Sequence, residues 1–439
     1  MKSADSLIHA RIGRDWKVLC GDIGERRAGT VQEQQAADFI AARLTAAGCS
    51  NVTQEPFSCI SLLSSRVTLT VHEGQRWTNV ESAALVGAPG TPRGNTVEGE
   101  LVWLEMPENV HRLKPGGLRG RIVALFGPLP TELDHHRRLV AAQPAAVIHI
   151  DERLPFPWTK NDGVYPLWAK RHGMPPTVTV PYTEAWRWRV AGLSRVRLAV
   201  RVDQHEAHSQ NVIGELPGSD PRLPAVVISA HHDTQCGNPG ADDNGSGVMC
   251  VLELARMLAP RPRRRRLRFI SFGTEEQLSV GSAAYVTAHR QGLAQAVGLV
   301  VNFDSVSSPL GHHVLGCVGS DKLARHATRT LAGGGLDVVL QRAVSPFLDN
   351  FPFNWAGVPS LYFGRINFPG GRWQHHSHHD TLANVSIGEI ARLLHALHPL
   401  VARLATQARW PFPGGLPPAQ QASANRFGRE LFGFPWKRR

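Results

Sequence analysis

The spacing of apolar residues divides the chain into stretches with different periods. Over Gln32–Gly48 the apolar positions Ala36, Phe39, Ile40, Leu44 and Ala47 fall on one face of a helix, and Gly48 stands where a helix cap is expected. From about Leu62 to Val202 short β-prone runs follow one another, Arg66–Val71, Val97–Leu104, Arg121–Phe126 and Ala145–Ile150, separated by Gly- and Pro-containing turns. This predicts a separate β-rich unit. After Asn211 strands and helices alternate: Ala225–Ala230, Arg266–Phe272, Leu299–Phe303 and Pro359–Phe363 as strands, Gly247–Leu258, Ser282–His289 and Ser386–Thr406 as helices. Such alternation predicts a three-layer α/β/α sandwich with a mostly parallel, mixed central sheet. The expected organisation is a main domain begun by residues 1–61, interrupted by a β-rich insert at 62–205, resumed over 206–408 and followed by a Pro- and Gly-rich tail at 409–439.

Composition narrows the class. The chain has 439 residues, 42% hydrophobic and 19% charged, with room for more than one core. No apolar run approaches the ~18 residues of a membrane span. Asp5, Arg11, Arg14, Asp15 and Lys17 interrupt the first twenty residues where a secretory signal needs an apolar stretch, so a soluble, cytoplasmic chain is expected. The net charge of +12 matters only where it clusters, at Arg261–Arg268, and there it separates a helix from a strand. A solvated connection is expected, not a specific nucleic-acid site. The six cysteines form no CxxC pair, so reduced thiols are expected, with Cys250 in a core helix.

Polar residues gather at the ends of the predicted strands. Ser229-Ala230-His231-His232-Asp233-Thr234 follows the first of them, and in extended chain His231 and Asp233 point the same way, so the carboxylate can orient the imidazole. Alone, an HxD pair is a weak signal. Gly240-Ala241-Asp242-Asp243-Asn244-Gly245-Ser246-Gly247 leads into the helix at 247, where unpaired N–H groups favour carboxylates. Thr274-Glu275-Glu276-Gln277 places two adjacent carboxylates at a strand end, where one can bind a cation while its neighbour faces the water that the cation activates. Asn302-Phe303-Asp304-Ser305 ends another strand, and Gln374–Thr381 holds four histidines, His375, His376, His378 and His379. Ligands in open α/β sheets bind at this edge. A centre of two Zn²⁺ ions is balanced by Asp243, Glu276, Asp304 and one bound hydroxide, with His231 and His376 neutral.

Taken together, AHHD (Ala230–Asp233), GADDNGSG (Gly240–Gly247), FGTEEQ (Phe272–Gln277), NFD (Asn302–Asp304) and HSHHDT (His376–Thr381) resemble the co-catalytic zinc exopeptidases of the leucyl aminopeptidase and glutamate carboxypeptidase type. The resemblance implies that His231 and Asp304 hold one zinc, Glu276 and His376 the other, and that Asp243 bridges them. Glu275 is then the general base and Asp233 the partner that orients His231. His376 is selected by the family's HxxxDT spacing. The lead-in Gly24–Thr30 and the loop from Asp349-Asn350 to Phe353 also match, and place Asp349 and Asn350 on the substrate side. Leu118–Phe126, Ala142–Ile150 and Pro175–Val180 are similar to an inserted protease-associated domain. Two departures stand out: Leu278 replaces the usual glycine after EEx, and Asn350 stands where a histidine is common. The implied activity is removal of an amino-terminal residue from peptides with a free amino end. The alternatives are a carboxypeptidase or dipeptidase, a one-zinc glutaminyl-cyclase-like enzyme, and an inactive binding protein on the same scaffold.

Overall fold

The computed structural model describes residues 2–106, 108–129, 132–152, 156–160, 162–368 and 371–433; the end of the predicted tail, 434–439, lies outside them. The chain forms two compact units. One comprises residues 1–59 and 207–429, the other residues 60–206 with 430–433.

Seven strands form the main path of the sheet in the larger unit: β1 (Arg195–Leu216, by its second half), β2 (Ala225–His231), β3 (Leu267–Phe272), β4 (Val297–Phe303), β5 (His312–Val318), β6 (Val339–Gln341) and β7 (Ser360–Ile366). Their order across the sheet is β6-β5-β7-β4-β2-β3-β1. Neighbours β3–β2, β2–β4, β4–β7 and β5–β6 are parallel, while β1 and β5 run antiparallel to β3 and β7. The mixed, mostly parallel sheet is therefore present. Because β2, β3, β4 and β7 share a direction, the segments that follow them emerge at one edge.

Alternate strand residues feed two cores, as the period of two requires. Val226, Ile228, Ala230, Phe269, Val301 and Phe363 pack on one face with helices α1 (Lys2–Trp16), α2 (Val31–Ala46), α3 (Gly247–Leu258), α5 (Asp321–Gly333) and α7 (Ile387–Thr406). Val227, Ile270, Phe272 and Val300 pack on the other with α4 (Val280–Ala288) and α6 (Asn350–Trp355). This is the three-layer arrangement. The central helix α3 is buried at Val248, Met249, Cys250, Val251, Leu252, Leu254, Ala255 and Leu258, which explains its nearly continuous apolar sequence.

Helix α1 has no counterpart in the sequence reading. Its buried stripe, Ile8, Ile12 and Trp16, is one residue wide and is flanked by Arg11, Arg14 and Asp15. The charges obscured it, yet they are what seats the helix: Asp15 is paired with Arg43 at 3.0 Å and Arg256 at 2.5 Å, and Arg11 is paired with Glu253. The arginine run also differs from a fully solvated connection. Arg265 is buried and donates to the carbonyls of Gln407, Pro224 and Ala408, while Arg261 and Arg264 are exposed.

In the smaller unit Val97–Glu105, Ile122–Phe126, Ala146–Ile150 and Thr177–Thr179 form successive parallel pairs. It is less purely β than expected, since Leu133–Ala141, Pro166–His172 and Tyr182–Ala191 are helical. Each buries only one or two side chains, such as Ala185 and Trp188 in the last, which is too brief a period to read. The tail contains a helix at Pro418–Phe427. All six cysteines are free. Among the described residues no helix is long and apolar enough to cross a membrane.

Candidate metal centre

Five segments meet at the shared edge of the sheet. His231 ends β2, Glu275 and Glu276 follow β3, Asp304 follows β4, Asp243 precedes α3, and the 372–380 segment follows β7. The backbone there is unusual. Thr274, Leu278, Ser279, Ser305 and His376 have positive φ without being glycine, a strain that persists where surrounding contacts over-determine the geometry.

Those contacts are specific. Asp380 accepts from the backbone N–H of Asp242 at 2.6 Å and of Asp243 at 2.9 Å. Asp242 accepts from Ser307 N and Oγ at 2.8 and 2.6 Å and from Gln374 Nε2 at 3.0 Å, tying three loops together. Asn244 donates to Phe303 O at 2.8 Å. From the other side Trp16 Nε1 donates to Ala241 O at 2.9 Å, and the buried Arg26 donates to the carbonyls of His232 and Pro239 at 2.7 and 2.8 Å. The loop is held so closely that a Cβ on Gly245 would lie 2.4 Å from Cys20 Sγ. Sequence reading missed Arg26, Asp242 and Trp16 as supports, because nothing local marks a residue that acts on a distant loop.

Asp233 is the organiser beneath the centre. Its Oδ1 accepts from Glu275 N at 2.9 Å and lies 3.3 Å from His231 Nδ1, while Oδ2 accepts from Glu276 N at 3.2 Å. One carboxylate thus sets the orientation of a histidine and of the two adjacent glutamates. His231 Nε2 faces Asp243 Oδ1 at 3.3 Å, with Glu275 Oε2 at 3.7 Å. On the far side of Asp243, Oδ2 lies 3.1 Å from His375 Nε2, 3.6 Å from His376 Nε2 and 3.4 Å from Arg372 Nη2. His376 Nε2 is also 3.0 Å from Glu276 Oε2.

The donor set fits zinc. Two atoms bound tetrahedrally at about 2.1 Å stand about 3.4 Å apart, close to the separations above. Potential ligand atoms of His231, Asp243 and Asp304 lie within 4.8 Å of one another, as do those of Asp243, His375 and His376. His231 Nε2, Asp243 Oδ1 and Glu276 Oε1 are buried without hydrogen-bond partners, which is costly unless a cation satisfies them.

The electrostatics point the same way. Burial, reinforced by neighbouring acids, pushes Glu275 well above the carboxylate range and raises Glu276 and Asp304. Burial also holds Asp349 up at about 7. Asp243 goes the other way: burial opposes ionisation, but the His231 and His375 imidazoles and the Arg372 charge beside it pull it well below its usual value. Burial pushes His231 downward, yet Glu275, Asp233 and Asp243 outweigh it and hold the imidazole well above its usual value. Such a surplus of buried acid is a site for positive charge.

The remaining sequence candidates separate. His378 is exposed, and His379 packs against Trp373 with the rings tilted and their centroids 5.3 Å apart. His375 joins His376 beside Asp243, with their rings stacked at 3.6 Å. Asn350 is turned into the fold, its amide donating to Asn354 Oδ1 and Ser360 Oγ at 3.0 Å each, whereas both carboxylate oxygens of buried Asp349 lack hydrogen-bond partners.

The model of Peptidase family M28 matches residues 211–401, which include every strand and loop that builds this centre. An aminopeptidase of Bacillus subtilis is 33% identical over 161 residues, a stretch that spans 35% of this chain and 35% of that relative. An aminopeptidase from Aneurinibacillus superposes with a TM-score of 0.71 at 22% identity, covering 91% of this chain and 95% of its own. A peptidase M28 precursor from Shewanella amazonensis superposes with a TM-score of 0.75 at 18% identity, covering 94% and 100%. The structural likenesses carry the fold over nearly the whole chain, and residues 211–401 carry the likeness to peptidase family M28.

Proposed function

We propose that the protein is a zinc-dependent aminopeptidase, with two Zn²⁺ ions held by His231 and Asp304, by Glu276 and His376, and by Asp243 between them. The observation that supports this is the pairing of orphaned buried ligand atoms with a crowd of carboxylates at one sheet edge. When bound, zinc supplies Lewis acidity toward a peptide carbonyl and lowers the pKa of a water. Glu275 takes that water's proton and later gives it to the leaving amine, a role suited to a carboxyl whose pKa is raised by burial. Asp233 keeps Glu275 in register through its backbone N–H, so general base and metal ligand are positioned by the same group. The free α-ammonium of a peptide is received on the acidic side, where Glu275 and Asp349 lie. That requirement limits cleavage to the first residue.

The test pairs aminoacyl anilides with their N-blocked counterparts, using wild-type and Glu275→Gln protein. Turnover of the free-amino substrates, lowered about 10²–10⁴-fold by the substitution, supports the reading. Turnover confined to blocked substrates, or full activity in the variant, overturns it.

A further inference from the structure

Buried arginines in this chain fall into two kinds. Arg26 donates to five carbonyls, those of Leu19, Gly24, His232, Pro239 and Gly240. Arg265 donates to three and stacks on Trp410, and Arg365 donates to Ser308 O at 2.5 Å and pairs with Glu389 at 3.2 Å. Each has spent its planar fork on structure. Arg372 has not. Among the described residues its guanidinium makes one contact, Nη2 to Asp243 Oδ2 at 3.4 Å, and its Nε has no hydrogen-bond partner. A guanidinium carries five N–H donors in a plane matched to a carboxylate, so Arg372, with Nε unpartnered, keeps donors to offer a second anion beside Asp243.

Its placement says where that anion belongs. Asp243 divides the centre: Oδ1 faces His231, with Glu275 beyond, and Oδ2 faces Arg372 and His375. The side chains of His375 and Arg372 are 15% and 12% exposed and that of Glu275 10%, against 2% for His231 and 4% for Asp243, so both ends are more open than the middle. The contacts that link Glu275 to Arg372 through His231 and Asp243 are each 3.3–3.7 Å. A ligand with an ammonium at one end and a carboxylate at the other matches both.

We propose that Arg372 is a specificity-determining residue that binds a carboxylate of the substrate, so that the preferred substrates are short free-amino peptides bearing an anionic group close to the scissile bond. The inference rests on the aminopeptidase reading and names its substrate class. The carboxylate belongs either to the chain end of a dipeptide or to an acidic side chain, and two substrate pairs separate these sources: leucylglycine against leucylglycinamide, and glutamyl against glutaminyl 4-nitroanilide. With zinc-loaded wild-type protein the anionic member of one pair is favoured in kcat/KM by roughly 10- to 100-fold, the worth of a charged hydrogen-bonded pair. Arg372→Met brings that ratio to about one, and Arg372→Lys retains part of it. The same pairs, titrated into zinc-loaded Glu275→Gln protein with and without Arg372→Met, report the preference as a ratio of dissociation constants without turnover. A ratio unaltered by Arg372→Met, or a wild-type ratio near or below one for both pairs, overturns the proposal. If wild-type protein hydrolyses no free-amino substrate, the aminopeptidase reading fails, and the binding ratios still decide the role of Arg372.

Discussion

Two clusters of buried charge sit in the larger unit, and they are built on opposite principles. Around α1, Asp15 and Glu253 are answered by Arg11, Arg14, Arg43 and Arg256, so two acids meet four bases within the protein itself. At the sheet edge Asp233, Asp242, Asp243, Glu275, Asp304, Asp349 and Asp380 are buried, and Arg372 is the one guanidinium hydrogen-bonded to them among the described residues. In both clusters the acids are buried. What separates them is whether the chain supplies the countercharge. A cluster that does so is part of the fold, and one that does not is waiting for something to bind.

The comparison breaks most visibly at Asp243. Asp243→Asn removes the carboxylate shared by both groups of candidate ligands, and we expect zinc content to fall below one per chain and activity to drop by roughly three orders of magnitude or more. Elemental analysis after dialysis and initial rates on an aminoacyl anilide check this. A variant with wild-type zinc content would show that the two clusters do not differ in the way described.

The paired cluster should fail differently. Glu253→Gln leaves Arg11 facing a neutral amide and weakens the hold on Arg256, and we expect a loss of about 3–5 kcal/mol, the usual consequence of removing one member of a buried pair. Urea unfolding measures it. The loss should be the same with zinc and with chelator, and the zinc content should match wild type. A stability loss that appears only in the zinc-loaded protein would couple the two clusters and remove the contrast.

The same distinction explains what the sequence disclosed. Strand ends were readable because β2, β3 and β4 are short, mostly apolar and followed at once by polar residues, and Gly247–Leu258 is helical in the structure over the same bounds as in the sequence reading. The acids and histidines gathered at the sheet edge were readable for the same reason, since a polar residue directly after a buried strand faces that edge. Helix α1 was hidden because its partners, Arg43 and Glu253, lie far away in the chain, and a charge paired at long range looks local and solvated. Arg372 was hidden for a related reason. Its meaning lies in contacts that it does not make, and no spacing rule registers those.

Glu33 sharpens the comparison by a third route, since this acid is neither paired with a base nor offered to a cation. It is buried at the start of α2, where Oε2 accepts from Gly29 N and Oε1 from Ser209 Oγ, both at 2.6 Å, and Thr30 Oγ1 accepts from Glu33 N at 3.3 Å. Burial first, and the Asp233 charge next, push its pKa from 4.5 up to about 8. The folded chain therefore keeps a proton that the unfolded chain releases. The resulting stability is fully present below about pH 4.5 and is lost as the pH rises through about 8. Within that window the slope approaches about 1.4 kcal/mol per pH unit. Glu33→Gln preserves an acceptor for Gly29 and a donor toward Ser209 but cannot ionise, so the variant gains on wild type as the pH rises, by about 2–3 kcal/mol between roughly pH 5.5 and pH 7.5. Unfolding titrations of chelated protein at the two pH values decide it. Parallel losses in both proteins would mean that Glu33 is ionised in the fold, and that its burial, like that of Asp15, depends on a partner of opposite charge.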